Sequence, residues 1–112
     1  AKYLDNCLSK IKPISIPPRP KNFRLVYHLY IVFAKDRDGL LRYCIDKGIE
    51  AKIHYPIPIY RQPALESLGY KLGDFPISDA HTNKIITFPC DQHLEQSQLD
   101  YIIETVTEYY AK

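Results

Sequence analysis

The sequence predicts a two-layer α+β sandwich: a small, mostly antiparallel sheet of three to four strands, with helices packed on one face. Three observations predict it. Apolar residues recur at helical spacing near both ends of the chain, and runs rich in β-branched and aromatic residues lie between them. The resulting order is helix, strand, helix, strand, short helices, strand, helix, which supplies too few strands for a doubly wound sheet. The 112 residues suit one domain spanning 1–112.

The elements follow in order. Leu4, Cys7, Leu8 and Ile11 share one helical face, so residues 1–11 read as a short amphipathic helix. Pro13, Pro17, Pro18 and Pro20 each fix φ and bias the residue before them toward extended geometry. Residues 12–24 therefore form a stiff, extended connector. Leu25–Phe33 is nearly continuous in apolar and aromatic residues, with Val26, Ile31 and Val32 β-branched, and reads as a buried strand. Asp36 or Asp38 can cap the next helix, whose apolar face is Leu40, Leu41, Cys44 and Ile45 and whose stop is Gly48.

In Ile49–Tyr55, Ile49, Ala51, Ile53 and Tyr55 alternate with Glu50, Lys52 and His54, the period of a second strand. Pro56, Pro58 and Pro63 remove backbone donors, so this stretch cannot be regular. Pro63 suits the first position of a short helix ending near Gly69, and Pro76 that of another running toward Lys84. Ile85–Phe88 is a third strand, stopped by Pro89. The last helix begins near Glu95 to Ser97 and carries the stripe Leu99, Ile102, Ile103, Val106 and Tyr110.

Composition narrows the classes of function. With 46% hydrophobic and 25% charged residues and a net charge of +2, the chain has no basic field that would call for nucleic acid or a membrane surface. No apolar run approaches the roughly 20 residues of a membrane span, and Ala1 to Ile11 lacks the pattern of a signal peptide. Cys7, Cys44 and Cys90 are odd in number and unpaired in spacing, as expected of a cytoplasmic protein. The chain has no methionine, and its first helix opens without a cap residue. Both are expected of a fragment.

Most candidate chemistry dissolves on inspection. Lys21, Phe23, Arg24, Tyr27 and Tyr30 mix basic and aromatic residues, but an RNA-binding strand needs glycine among them, so core strand is the better reading. Cys90-Asp-Gln-His93 is half of a zinc site without its other half, and reads as a surface turn. No serine stands in a Gly-x-Ser-x-Gly turn, and Gly39, Gly48, Gly69 and Gly73 form no phosphate loop. No self-contained catalytic or metal set is expected. What remains is the stretch 54–63, a proline-stiffened loop carrying His54, Tyr55, Tyr60, Arg61 and Gln62. Scaffolded loops concentrate binding residues, and rigid prolines lower the ordering cost of presenting them. The competing reading is a stiff turn whose aromatics cover the end of the sheet.

At this loop the chain resembles the DegT/StrS-type sugar aminotransferases. Ile53-His-Tyr-Pro-Ile-Pro58, Gln62-Pro-Ala, Leu68-Gly-Tyr and Gly73-Asp-Phe-Pro76 carry the likeness. So do Val26-Tyr-His-Leu-Tyr-Ile-Val32, Arg37-Asp-Gly-Leu-Leu41 and Leu99-Asp-Tyr-Ile-Ile103. The resemblance covers essentially the whole chain and implies the C-terminal small domain of a pyridoxal-phosphate enzyme of fold-type I. Such an enzyme transfers an amino group, usually from glutamate, to a keto nucleotide-sugar. The Schiff-base lysine, the acidic partner of the pyridine nitrogen and the phosphate cup belong to the preceding domain. The resemblance thus implies that this chain alone binds no cofactor and catalyses nothing, and that the full-length protein is a homodimer. It also places the His54 loop at the mouth of the active site, with His54, Tyr55, Tyr60, Arg61 and Gln62 as substrate-binding candidates. Three positions depart from the family pattern: Tyr60 stands where His is frequent, Leu65 where an aromatic is common, and Asp79 where Glu is usual. Two other readings compete, a stand-alone α+β module that binds a ligand or partner, and a degenerate family member kept for regulation.

Overall fold

The computed structural model describes residues 1–111. Among them, β1 (Ile14–Ser15), β2 (Tyr30–Ala34) and β3 (Ile85–Phe88) form an antiparallel sheet in that spatial order. The α-helices are α1 (Lys2–Leu8), α2 (Arg37–Asp46), α3 (Pro76–Thr82) and α4 (Gln96–Tyr110), and two 3-10 turns span Ile59–Arg61 and Pro63–Leu68. The predicted α+β class and small antiparallel sheet are what the chain adopts.

Register decides which residues share a face. Val32 pairs with Ile86 and Tyr30 with Phe88, so their side chains leave the sheet together. That face is buried beneath the helices: α2 packs on β2 and β3, α4 on α2, and α1 on α4. Leu4, Leu8, Val32, Leu40, Cys44, Ile86 and Val106 lose all their exposed surface there. Each large aliphatic side chain so buried contributes about 1.5–3 kcal/mol. The partners Ile31 and Thr87, Phe33 and Ile85 face the other way. Across that second face run residues 53–82.

α4 forms where its apolar stripe predicts, with Ile102 and Val106 buried and Thr105 buried beside them. Its start is a reciprocal cap, in which Glu95 and Gln98 each satisfy the other's backbone N–H. Gly48 and Gly69 take the left-handed backbone, φ +79° and +74°, that ends the segments before them.

Four local expectations change. The strand expected over Leu25–Phe33 begins only at Tyr30, because Tyr27 turns to φ +51° and leaves Val26 84% exposed. The Arg19 guanidinium lies over the rings of Tyr27 and Tyr30, 5.4 and 5.6 Å from their centroids. The strand expected over Ile49–Tyr55 shrinks to one bridge, Lys52 to Thr87. Ile49 and Ala51 do point into the core, but the Ala51 N–H turns back to the Ile49 carbonyl at 2.8 Å and leaves the ladder. Ile45 is 55% exposed, outside the face that Leu40 and Cys44 define. Asp36 sits at the start of α2 without capping it through its side chain; its carboxylate accepts the Tyr109 hydroxyl instead.

Two polar ties fix the chain outside the core. Asp5 on α1 accepts two hydrogen bonds from Arg19, at 3.1 and 3.2 Å, and one from the Tyr30 hydroxyl at 2.8 Å. Burial pushes the Asp5 carboxyl up, but these bonds and the Arg19 charge outweigh it and hold it below the usual carboxylate range. The proline-rich stretch, which also contributes β1, is thereby pinned to α1 and β2. The buried Arg37 donates to the carbonyls of Thr82 at 3.0 Å and Ile85 at 3.1 Å, fixing the point where residues 53–82 rejoin the sheet. Among the described residues no helix is long and apolar enough to cross a membrane.

Candidate functional site

Residues 53–82 build a groove of about 690 Å³ on the second face of the sheet. One wall is the loop after Ile53, contributing Tyr55, Ile57, Pro58, Ile59 and Gln62. The other is α3 with the turn before it, contributing Asp74, Phe75, Ile77, Ser78 and His81; Ile85 lies on the sheet side. The prolines explain the first wall. Pro56 and Pro58 deny the chain strand hydrogen bonds, so it leaves the sheet, and the Arg61 N–H bonds back to the Pro58 carbonyl at 3.0 Å to close a tight turn. Gln62 stiffens the loop by donating to the Ile57 carbonyl at 3.3 Å. Pro76 opens α3, where a missing N–H costs nothing. The His81 ring rests on Phe33 of the sheet, with centroids 4.7 Å apart.

The groove and its rim are apolar and open. Ile59 is 79% exposed, Ile77 72%, Leu72 69% and Tyr55 66%, and Ile57, Leu68, Tyr70 and Phe75 are exposed as well. Exposed apolar residues gathered around one groove make it the candidate place for a ligand or partner.

The five residues singled out in the sequence do not converge on one point. Tyr55 and Gln62 line the groove. His54 is turned away from it, into a separate hollow of about 270 Å³ beside His28, Lys52 and Cys90. There its Nδ1 lies 3.0 Å from the Thr87 Oγ1, and its ring meets Tyr55 edge-on at 5.4 Å. Arg61 is exposed on the outer side of the loop, over a third hollow shared with Glu66 and Tyr70. Tyr60 is only 9% exposed and stands behind the groove wall. Its hydroxyl donates to the Asp79 Oδ1, and its ring packs on Phe75 at 4.8 Å and Tyr70 at 6.4 Å. Burial and the bond to Asp79 hold its phenol above the usual tyrosine range.

Sequence reasoning missed Phe75, Asp79 and His81 as parts of this site. Asp79 meets Tyr60 across 19 positions, and no local pattern announces that meeting. The signal available was indirect: Tyr60 and Asp79 are two of the three positions at which the resemblance implies a departure, and they are bonded to each other.

Every lysine among the described residues is exposed, and no three His, Cys, Asp or Glu side chains gather there as a metal site. A Schiff-base lysine needs a desolvated pocket against its cofactor. Among the described residues no lysine stands in such a pocket.

Comparison with known proteins gives concordant matches. The DegT/DnrJ/EryC1/StrS aminotransferase family model matches residues 1–107. The erythromycin biosynthesis sensory transduction protein EryC1 of Saccharopolyspora erythraea is 28% identical over 106 residues, 95% of this chain and 29% of that protein. The dTDP-3-amino-3,4,6-trideoxy-alpha-D-glucose transaminase of Streptomyces venezuelae is 28% identical over 109 residues, 97% of this chain and 28% of its own length. Among solved structures, that of S. venezuelae DesV in complex with a ketimine intermediate superposes with a TM-score of 0.93 at 25% identity, over 99% of this chain and 30% of that one. The chain thus spans under a third of the relatives it matches.

Proposed function

The chain belongs to the DegT/DnrJ/EryC1/StrS aminotransferase family, and from that premise we propose that it is the C-terminal small domain of a nucleotide-sugar aminotransferase. In this reading the longer enzyme uses pyridoxal phosphate to move an amino group from glutamate to a keto sugar linked to a nucleotide. It works in the cytoplasm as a homodimer. The observation that carries the reading is the family match across residues 1–107. The 28% identity to a transaminase named for a dTDP-linked amino sugar supports the substrate class.

The cofactor site lies outside this chain in the proposal, and the chain by itself is inactive; the exposure of every lysine among the described residues supports this. What the chain supplies is a wall for the substrate. Tyr55 and Gln62 present a phenol and an amide inside the groove, and apolar Ile57, Phe75 and Ile77 give a sugar or base a surface to lie on. His54 and Arg61 lie in separate hollows beside the groove, and in this reading a substrate longer than the groove meets them there, as an imidazole and as a cation suited to a phosphate oxygen. Tyr60, its hydroxyl engaged by Asp79, holds the wall.

The test uses the full-length enzyme carrying His54→Ala or Gln62→Ala. Removing one hydrogen bond to a charged group lowers catalysis by about ten- to a hundredfold. The expected result is that loss with an unchanged cofactor absorbance spectrum. Wild-type turnover and substrate affinity in both variants would make the loop a structural turn. A collapsed cofactor spectrum would assign these residues to cofactor support instead.

A further inference from the structure

Tyr60 and Asp79 are both absent from the groove lining, yet between them they join its two walls. Tyr60 lies in the 3-10 turn of the first wall, and Asp79 lies on α3, the second. One Asp79 oxygen accepts the Tyr60 hydroxyl; the other accepts the Gly73 N–H at 3.1 Å, in the turn that leads into α3. The turn is closed locally by the Lys71 N–H on Asp74 Oδ2 at 2.8 Å and the Asp74 N–H on the Lys71 carbonyl at 3.1 Å, and Gly73, at φ +98°, turns its own N–H out to Asp79. The ring of Phe75, which does line the groove, packs between Tyr60 and Tyr70, at 4.8 and 5.2 Å. The far end of α3 is already tied down, because Arg37 holds the Thr82 carbonyl. With one end fixed, the bonds made by Asp79 tie the other end to the opposite wall.

We propose that Asp79 is a positioning residue: by holding Tyr60 with one carboxylate oxygen and the Gly73 amide with the other, it sets the separation of the groove walls. Its consequence for the substrate rests on the function proposed above; its consequence for the walls does not. A groove whose walls are already spaced loses less freedom when it is filled, so the bonds of Asp79 raise affinity without touching the ligand.

Amide hydrogen exchange on the 112-residue chain reads this directly. Asp79→Ala is expected to speed exchange about tenfold at residues 59–62 and 71–75 while leaving β2 and α4 at wild-type rates. Asp79→Asn, which keeps one acceptor, is expected to recover part of that protection. Tyr60→Phe should loosen 59–62 yet leave the Gly73 amide protected, since that amide bonds the other oxygen. Tyr60→Phe also keeps the carboxylate, and so tests the proposal even where Asp79→Ala does not fold. Wild-type exchange at both segments overturns the proposal, and so does acceleration spread evenly over β2 and α4. Titration of thymidine diphosphate into the full-length Asp79→Ala enzyme then separates the two readings. Loosened walls with a weakened dissociation constant support both. Loosened walls with unchanged affinity keep Asp79 as a positioning residue and remove the groove from nucleotide binding.

Discussion

The half of the molecule built by α1, α2 and α4 on the sheet differs from residues 53–82 in how it treats apolar surface. The first half closes around its leucines and isoleucines, several of them wholly buried. The second leaves Tyr55, Ile57, Ile59, Leu68, Leu72 and Ile77 in the open and holds its shape with an aromatic cluster, three carboxylate bonds and four prolines. Both halves are rich in large apolar residues, so composition does not separate them. The difference is what those residues pack against. The first half meets its own chain; the second leaves its apolar residues facing solvent.

The largest effects are expected in the closed half. Ile102, 3% exposed, faces the core from α4, so Ile102→Ala is expected to destabilise by about 2–5 kcal/mol through lost burial and a cavity. Ile77→Ala on α3, 72% exposed, is expected to change stability by about 0.5 kcal/mol or less. Denaturant melts of the two variants check the contrast, and equal losses would erase it.

The Asp5 clamp comes next. Removing a group that accepts charge-assisted hydrogen bonds costs about 1.5–3 kcal/mol, and Asp5→Ala is expected to fall in that range. The pH dependence has a definite sign. The folded Asp5 carboxyl titrates below its unfolded value of about 3.9. The clamp therefore contributes fully at neutral pH and loses its contribution as pH falls below about 4 and through the folded value. Melts from pH 6 to pH 2 should show that loss in the wild type and a shallower slope in Asp5→Asn.

The smallest effect is a cancellation. Glycine to alanine inside a helix ordinarily gains about 1 kcal/mol. At Gly39 of α2 the new Cβ would stand 2.1 Å from the Tyr109 hydroxyl and 2.5 Å from an Asp36 carboxylate oxygen. The bond between those groups must give way; it is exposed to solvent, which screens it and leaves it worth about 0.5–1.5 kcal/mol. Gly39→Ala is therefore expected to leave the melting temperature nearly unchanged, and a clear rise would show that Tyr109 moves aside freely.

Sequence reading reached the closed half far better than the open one. Periodicity located α4 because its burial is one-sided, so the pattern of Ile102 and Val106 is the packing itself; β3 was legible as a short run, buried at Ile86, Thr87 and Phe88 and stopped by Pro89. It overextended the strand at Leu25–Phe33, because a hydrophobic run does not reveal that Tyr27 turns to a left-handed backbone beneath Arg19. It read the alternation of Ile49 and Ala51 correctly as burial and wrongly as a ladder, because a single carbonyl, that of Ile49, captures the N–H that pairing needed. In the open half the prolines marked the loop, and Tyr55 and Gln62 do line the groove it forms. What they could not mark was the partner of Tyr60, since Asp79 reaches it only after the chain has turned through two 3-10 segments and into α3.

The proposal that the open half is a face completed by the rest of a larger enzyme can be put to one comparison. Amide hydrogen exchange would be followed in the 112-residue chain and in the full-length polypeptide. The expected result is slower exchange at residues 55–62 and 75–82 in the full-length protein, with α2 and α4 unchanged. Equal exchange of those two segments in both proteins would contradict it, and would leave the groove as surface that nothing covers.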